Sequence, residues 1–173
     1  MKNHIIISLL FLSVGCSTFQ KEYDINHILV TGSTGLLGKE IEKYSKSYNS
    51  KFYFTSKSSN KNNFQFDLTL LKDVEKLAEE CSPTSIIHCA AYVPKSNVEY
   101  NDSLSAEKSL FMLENLLLVF DCPIIFISSM TVYGFVSDRA VKENNVLNPV
   151  SMYGHGKMKA EQILIKSNRP CLS

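Results

Sequence analysis

Short apolar runs alternate with helix-period patterns along most of the chain. From His27 onward, five runs have the length and the β-branched or aromatic character of strands: HILVT, KFYFT, FQFDL, SIIHCA and PIIFISS. Most of these runs are followed by a turn or loop and then by residues with helical spacing, whereas KFYFT is followed by the polar loop SKSSNKNN and then by FQFDL. This alternation is typical of βαβ units, so we predict an α/β fold built around a parallel sheet.

The helical segments are identified by apolar residues three and four positions apart. After the first strand these residues are Leu37, Ile41, Tyr44 and Tyr48; later sets are Leu70, Val74, Leu77, Ala78 and Cys81, and Leu110, Leu113, Leu117 and Phe120. A last helix begins near Ser151. Because no further strand pattern follows it, we predict that the sheet ends at the fifth strand and is incomplete at its C-terminal end.

The N-terminal segment differs from the rest of the chain. One lysine precedes a mostly apolar run at residues 5–14 without a charged residue, which is followed by Gly15 and Cys16. This is the layout of a secretory signal, and it resembles a bacterial lipoprotein signal ending at Cys16. The run is shorter than the roughly 20 residues that span a bilayer, so no stable transmembrane span is predicted. Residues 1–23 are therefore predicted to be a leader outside the fold, and residues 24–173 the folded domain.

Composition narrows the classes of partner. Eighteen basic and seventeen acidic residues give a net charge of +1, which favours neither nucleic acid nor an anionic membrane as a partner. The five cysteines show no CxxC or His/Cys ligand spacing, and we interpret them as reduced thiols. His88 and Cys89 lie in an apolar run that reads as a packed strand, so no metal site is predicted.

A glycine pattern follows the first strand. The sequence VTGSTGLLGKE places Gly32, Gly35 and Gly38 between a strand and a helix. In that context the glycines allow a tight turn, close approach of a pyrophosphate and close packing of helix on strand, and the helix N-terminus attracts phosphate. The candidate cofactor-binding residues of the turn are Gly32, Thr34, Gly35, Leu36, Leu37 and Gly38. The alternative is a glycine-rich turn that binds nothing.

A tyrosine and a lysine lie four residues apart in the last helix. In SMYGHGKMKAEQ, Tyr153 and Lys157 share one helix face because four residues turn through about 400°. A nearby ammonium is expected to lower the pKa of the phenol, which is the condition for acid/base work near neutral pH. The alternative is an ordinary surface pair worth a few tenths of a kcal/mol.

Together these motifs resemble the extended, sugar-nucleotide-modifying branch of the short-chain dehydrogenase/reductase superfamily. Besides GxxGxxG and YGHGK, the similar segments are Asp67-Leu68, HCAA at residues 88–91, and SSMTVYG at residues 128–134. The resemblance implies a Rossmann-like, doubly wound parallel sheet. It also implies that Asp67, with Leu68 beside it, reaches the adenine amino group, and that Ala90 and Ala91 lie against the cofactor.

The resemblance implies a catalytic set as well. Tyr153 exchanges a proton with a sugar hydroxyl or ketone while the nicotinamide exchanges a hydride. Lys157 also holds the nicotinamide ribose, and both residues are among the expected cofactor-binding residues. Ser129 matches the serine that bonds the substrate oxygen, with Ser128 as the alternative. The expected activity is that of an NAD(P)-dependent oxidoreductase or epimerase acting on a nucleotide sugar.

Two details refine the chemistry that the resemblance implies. Dehydratases of this branch have a segment similar to STDEVYG at the fifth strand, with an Asp-Glu pair. This chain has Met130 and Thr131 in place of the two acids, which favours epimerisation or ketone reduction. NAD-selective members carry an acid at the end of the second strand, and FTSKS has none. Ser56 and Lys57 are suited to a 2′-phosphate instead, so NADP is favoured over NAD.

The chain departs from the family in length. Family members continue into a C-terminal subdomain that binds the nucleotide sugar, so we expect a truncated form, a homodimer or a completing second chain. Ser109 stands near the position at which family members have a helix asparagine that supports the proton relay. Two alternatives stay open: a non-catalytic dinucleotide-binding remnant, and an exported lipoprotein that uses the fold as a scaffold. The corresponding locations are the cytoplasm and, through Cys16, the membrane.

Overall fold

The computed structural model describes residues 26–58, 64–135 and 141–172. The predicted leader at residues 1–23 lies outside these residues. The strands are β1 (His27–Thr31), β2 (Lys51–Ser56), β3 (Phe64–Gln65), β4 (Ser85–His88), β5 (Ile124–Phe126) and β6 (Cys171–Leu172). The helices are α1 (Leu36–Ser45), α2 (Leu71–Glu80), α3 (Ser103–Val119) and α4 (Met152–Lys166), with 3₁₀ turns at Glu99–Asn101 and Met130–Tyr133.

The strands form one parallel sheet in the order β3-β2-β1-β4-β5-β6. The strand order reverses beside β1, which pairs with β2 on one side and β4 on the other. The carboxyl ends of β1 and β4 are in register, with Thr31 opposite His88. This is the topology of a Rossmann-like doubly wound fold, as predicted, and such folds bind ligands at this switch point.

The sheet extends one strand further than predicted. Cys171 and Leu172 pair with Ile124 and Ile125, so the prediction that the sheet ends at β5 was wrong. The Arg169 guanidinium holds this segment against the end of α3, where it donates to the Phe120 carbonyl and lies 3.6 Å from Asp121. Two paired residues are too short a run to show strand periodicity.

Two other elements differ from their sequence patterns. β3 contains only Phe64 and Gln65, so Asp67 lies in the turn after the strand instead of ending it. In α1, Leu37 and Tyr44 are exposed, and Tyr48 lies beyond the helix end. The helix instead buries Gly38, whose lack of a side chain lets α1 lie directly against the backbone of Gly32 and Ser33 in the preceding turn.

The core has a cluster of buried side chains on each face of the sheet. The larger cluster joins β1, β4 and β5 to helices α2, α3 and α4, and its fully buried members are Leu29, Val74, Leu77, Ile86, Leu113, Leu116, Ile124 and Leu164. The other cluster contains Ile28, Val30 and Ile87, with Ile41 of α1 packed against it. Neighbouring strand residues thus point to opposite faces, and both faces are covered. Among the helices described, none has the length and apolar character needed to cross a bilayer.

Candidate functional site

A crevice of about 460 Å³ opens at the carboxyl ends of the central strands. It collects the predicted cofactor residues other than Tyr153 and Lys157, namely Gly32, Thr34, Gly35, Leu36, Leu37, Gly38, Ser56, Lys57, Asp67, Leu68, Ala90 and Ala91. Tyr92, Met112 and Ile127 also line it. The structure therefore brings together residues that come from several separate segments of the sequence.

The three glycines of the turn have different structural roles. Gly32 has φ 68°, and a Cβ there would lie 2.7 Å from the Cα of Ala90. A Cβ on Gly38 would lie 2.6 Å from the Cα of Ser33 and even closer to the Gly32 carbonyl. A Cβ on Gly35 would meet only the Gly32 carbonyl, at 3.2 Å. The protein's own packing thus requires glycine at two of these positions, whereas the third is exposed in the crevice.

Helix α1 begins at the crevice wall. Its N-cap, Gly35, has no side chain that accepts a hydrogen bond from the first turn, and no acidic residue lies in that turn. The first backbone N–H groups of a helix need acceptors, and the helix dipole places partial positive charge there. This end of the crevice is therefore suited to an anionic group such as a pyrophosphate.

A buried polar contact holds the floor of the crevice. The Thr31 hydroxyl lies 2.7 Å from Nδ1 of His88 and accepts a 3.2 Å hydrogen bond from the Ala90 N–H. Burial, followed by the charge of Lys157, lowers the pKa of His88 to about 3, so the ring is neutral. The contact fixes Ala90, whose backbone packs on Gly32. The sequence analysis did not predict the contact between Thr31 and His88. The signal that could have indicated it is that each is a polar residue at the end of an apolar strand.

An ion pair lies at the far end of the crevice. Nζ of Lys57 is 2.7 Å from the Asp67 carboxylate and 3.4 Å from the hydroxyl of Tyr92. Hydrogen bonding to Asp67 raises the pKa of Lys57. Partial burial alone would raise the pKa of Asp67, but hydrogen bonds from Lys57 and Thr69 outweigh it, so the pKa is lowered. Ser56, beside Lys57, donates to the Ser58 carbonyl at 2.6 Å.

Ser129 and Tyr153 are brought together by the 3₁₀ turn after β5. The Ser129 hydroxyl lies near enough to the Tyr153 phenol to lower its pKa, and it accepts from the Thr131 hydroxyl at 3.0 Å. Ser128 faces elsewhere, because its hydroxyl donates to Glu161 at 2.5 Å. Of the two candidate serines, Ser129 is therefore the one beside Tyr153.

Lys157 is buried beneath the crevice. Its ammonium donates to the Ile127 carbonyl at 2.6 Å and lies 4.5 Å from the ring centre of Phe126. The distance to the ring centre of Tyr153 is 5.9 Å. Burial lowers the pKa of Lys157 to about 8, and the neighbouring Cys89 and Glu161 act in the opposite direction.

The prediction that Lys157 lowers the pKa of Tyr153 was wrong for this structure. Burial and the neighbouring Tyr100 raise the pKa of the phenol, and the nearby Ser129 hydroxyl acts in the opposite direction. The rings of Tyr100 and Tyr153 meet edge to face at 5.8 Å. The Lys157 ammonium donates to the Ile127 carbonyl instead of the phenol, and the pKa of Tyr153 lies above its ordinary value.

Ser109 lies close to the predicted position of the family's helix asparagine. It lines a cavity of about 10 Å³ together with Tyr153 and Lys157, roughly the space of one water molecule. The hydroxyl of Ser109 accepts from the Tyr92 N–H at 3.0 Å and donates to the Ser105 carbonyl at 3.0 Å. Its hydrogen bonds within the protein thus tie α3 to the segment after β4.

Known proteins share this fold and part of this sequence. Methionine adenosyltransferase 2 subunit beta of Xenopus laevis is 30% identical over 145 residues, which cover 81% of this chain and 43% of that protein. A dTDP-4-dehydrorhamnose reductase structure from Clostridium acetobutylicum is 27% identical with a TM-score of 0.66, covering 84% of this chain and 51% of that one. The Thermus thermophilus UDP-glucose 4-epimerase, solved with NAD, is 22% identical with a TM-score of 0.70, covering 81% and 50%.

The chain thus spans about half the length of the relatives that it matches. The family model for the RmlD substrate binding domain matches residues 26–172, which include every described strand and helix. The chain therefore belongs to the RmlD substrate binding domain family, within the short-chain dehydrogenase/reductase superfamily.

Proposed function

We propose that the chain binds NADP or NAD in the crevice and carries the cofactor half of a nucleotide-sugar reductase or epimerase. The observation that supports this most is the position of Ala90. Ala90 lines the crevice beside the glycine turn and also lines the small cavity of Tyr153 and Lys157. A dinucleotide lying along the crevice from Gly35 past Ala90 would therefore bring its nicotinamide end to the Ser129-Tyr153-Lys157 site.

The residues present fit such a cofactor. The open N-terminus of α1 and the uncrowded Gly35 suit the pyrophosphate, and the small side chains of Ala90 and Ala91 leave room for the rest. Ser56 and Lys57 suit the 2′-phosphate, and Lys157 is proposed to hold the nicotinamide ribose. Asp67 and Leu68 line the adenine end. The bound cofactor would supply the hydride.

The proposed chemistry is ketone reduction or epimerisation of a nucleotide sugar. Tyr153 would donate a proton to the substrate oxygen while Ser129 orients that oxygen by hydrogen bonding. Met130 has no ionisable group and the Thr131 hydroxyl donates to Ser129, so neither residue supplies the second acid and base that dehydration requires. The likeness to a dTDP-4-dehydrorhamnose reductase supports reduction.

A second candidate is a dinucleotide-binding subunit without chemistry of its own. The relative from Xenopus laevis is by its name a subunit of methionine adenosyltransferase, which favours this alternative. For the first candidate, we propose that a second copy or a completing chain contributes to the binding of the sugar. The proposed location is the cytoplasm. Mass spectrometry of the membrane fraction that detects lipid attached to Cys16 would overturn this placement.

Calorimetric titration with NADP and NAD tests the shared proposal, and Tyr153→Phe separates the two candidates. We expect the wild type and Tyr153→Phe to bind dinucleotide alike, because the phenol hydroxyl lies at the reaction end. Reduction of a dTDP-4-keto sugar should disappear in Tyr153→Phe and persist in the control Tyr44→Phe, whose ring is exposed on α1. Binding without any turnover favours the subunit; no binding of either dinucleotide refutes both candidates.

A further inference from the structure

Three consecutive residues after β5 lie against three successive turns of α4. The Ile127 carbonyl accepts from Lys157, Ser128 donates to Glu161, and the Ser129 hydroxyl lies beside Tyr153. Residues 153, 157 and 161 are four apart, so they form one stripe on α4. The stripe contains a phenol, an ammonium and a carboxylate in order.

We propose that Glu161 is a positioning residue for this site: it holds Ser128, and with it the segment 127–129, on α4, and it places a carboxylate one helical turn from Lys157. The inference rests on the proposed function only for the use that the site makes of Lys157. The placement of Glu161 itself is carried by its hydrogen bond from Ser128, the middle residue of the segment 127–129.

The surroundings of Lys157 explain why a carboxylate is needed. Lys157 is 6% exposed, and a buried ammonium is unstable unless an opposite charge or several acceptors compensate it. Its neighbours at the end of β4 and just after it are the neutral ring of His88 and the thiol of Cys89. Its neighbours at the end of β5 and just after it are the ring of Phe126 and the Ile127 carbonyl. Its own helix contributes Tyr153 and Glu161.

Glu161 is the carboxylate in this set, and its charge raises the pKa of Lys157 against the effect of burial. With a pKa of about 8, Lys157 is mostly protonated at neutral pH but close to losing its proton. Removing the Glu161 charge should therefore shift this group towards the neutral amine. Releasing Ser128 should act in the same direction but more weakly, because the unanchored carboxylate can then turn towards solvent.

The direct test is an NMR titration of the chain labelled with ¹³Cε-lysine, with the Lys157 signal identified by its loss in Lys157→Arg. We expect the titration midpoint of Lys157 to fall in Glu161→Gln and to fall less in Ser128→Ala. Glu79→Gln, the same change at an exposed position of α2, should leave it in place. A midpoint in Glu161→Gln equal to that of the wild type would overturn the inference, and Ser128→Ala decides the question if Glu161→Gln does not fold.

Dinucleotide binding gives the second readout. Calorimetry of Glu161→Gln across pH should show the pH at which affinity is lost moving down together with the Lys157 midpoint, whereas a purely structural role would lower affinity equally at every pH. If the wild type binds no dinucleotide, the proposed function fails while the NMR titration still decides the role of Glu161. An affinity loss that is independent of pH would contradict the electrostatic part of the inference.

Discussion

The ammonium of Lys57 lies 2.7 Å from the carboxylate of Asp67, across the end of the crevice where the adenosine of a dinucleotide would bind. The Lys57 side chain is 65% exposed, and the Asp67 side chain is 21% exposed. An exposed pair of this kind contributes at most about 1 kcal/mol to the free energy of unfolding. A cofactor phosphate can therefore take Lys57 from Asp67 at small cost.

The first prediction concerns cofactor choice. Lys57→Met should weaken binding of NADP about 10-fold, or about 1.4 kcal/mol, and leave NAD binding nearly unchanged, because only NADP carries the 2′-phosphate. Calorimetry with both dinucleotides measures the ratio, and the NADP preference should also decrease with added salt. Lys72→Met, at an exposed position of α2, is the matched control. Equal losses for NAD and NADP would show that Lys57 does not read the 2′-phosphate.

The second prediction separates the glycines that the fold needs from the glycine that a ligand needs. Gly38→Ala should lower the free energy of unfolding by about 1–3 kcal/mol, because its methyl group would collide with the backbone of Gly32 and Ser33. Gly35→Ala should cost at most about 1 kcal/mol, since the position is exposed and its new methyl meets one atom at 3.2 Å.

Gly35→Ala should affect dinucleotide affinity much more than it affects the free energy of unfolding. The added methyl group projects where the pyrophosphate is proposed to approach, so affinity should fall by an order of magnitude or more while denaturant unfolding stays close to wild type. Undiminished dinucleotide affinity in Gly35→Ala would favour a turn that serves the fold alone.

What the sequence could predict follows from the range of the interactions involved. The glycine turn and the spacing of Tyr153 and Lys157 are local, so chain geometry alone predicts them. The contacts of Lys57 with Asp67 and of Ser128 with Glu161 join separate elements, and no local pattern marks them. Longer-range packing also decides where the Lys157 ammonium points, which is why the pKa direction of Tyr153 was predicted wrongly.

The third prediction concerns acid stability and His88. The folded-state pKa of His88 is about 3 and the ordinary value is 6.5, so between these values the unfolded chain binds the proton and the native chain does not. The His88 contribution is complete above pH 6.5 and is lost as pH falls towards 3, by roughly 5 kcal/mol at most. His88→Gln should lack this contribution. Urea unfolding at pH 7 and pH 4.5 measures it, and equal pH dependence in the two proteins would contradict it.

The last prediction concerns alkaline pH and Lys157. Its folded-state pKa of about 8 lies below the ordinary 10.5, so between these values the unfolded chain holds more protons and stability rises with pH, by about 3 kcal/mol at most. Burial raises the pKa of the thiols of Cys81, Cys89 and Cys122 to about 11, and these groups act in the opposite direction above pH 9. The absolute stability of the wild type therefore hides the effect of Lys157.

Comparison with Lys157→Met isolates the lysine, because the thiol contributions are largely common to both proteins and cancel in the difference. The free energy of unfolding of the wild type minus that of Lys157→Met should increase from pH 8 to pH 10. Urea unfolding under reducing conditions measures it at each pH. A difference that stays flat would mean that the ammonium is solvated in the native state, and its bond to the Ile127 carbonyl could then not be what holds it away from Tyr153.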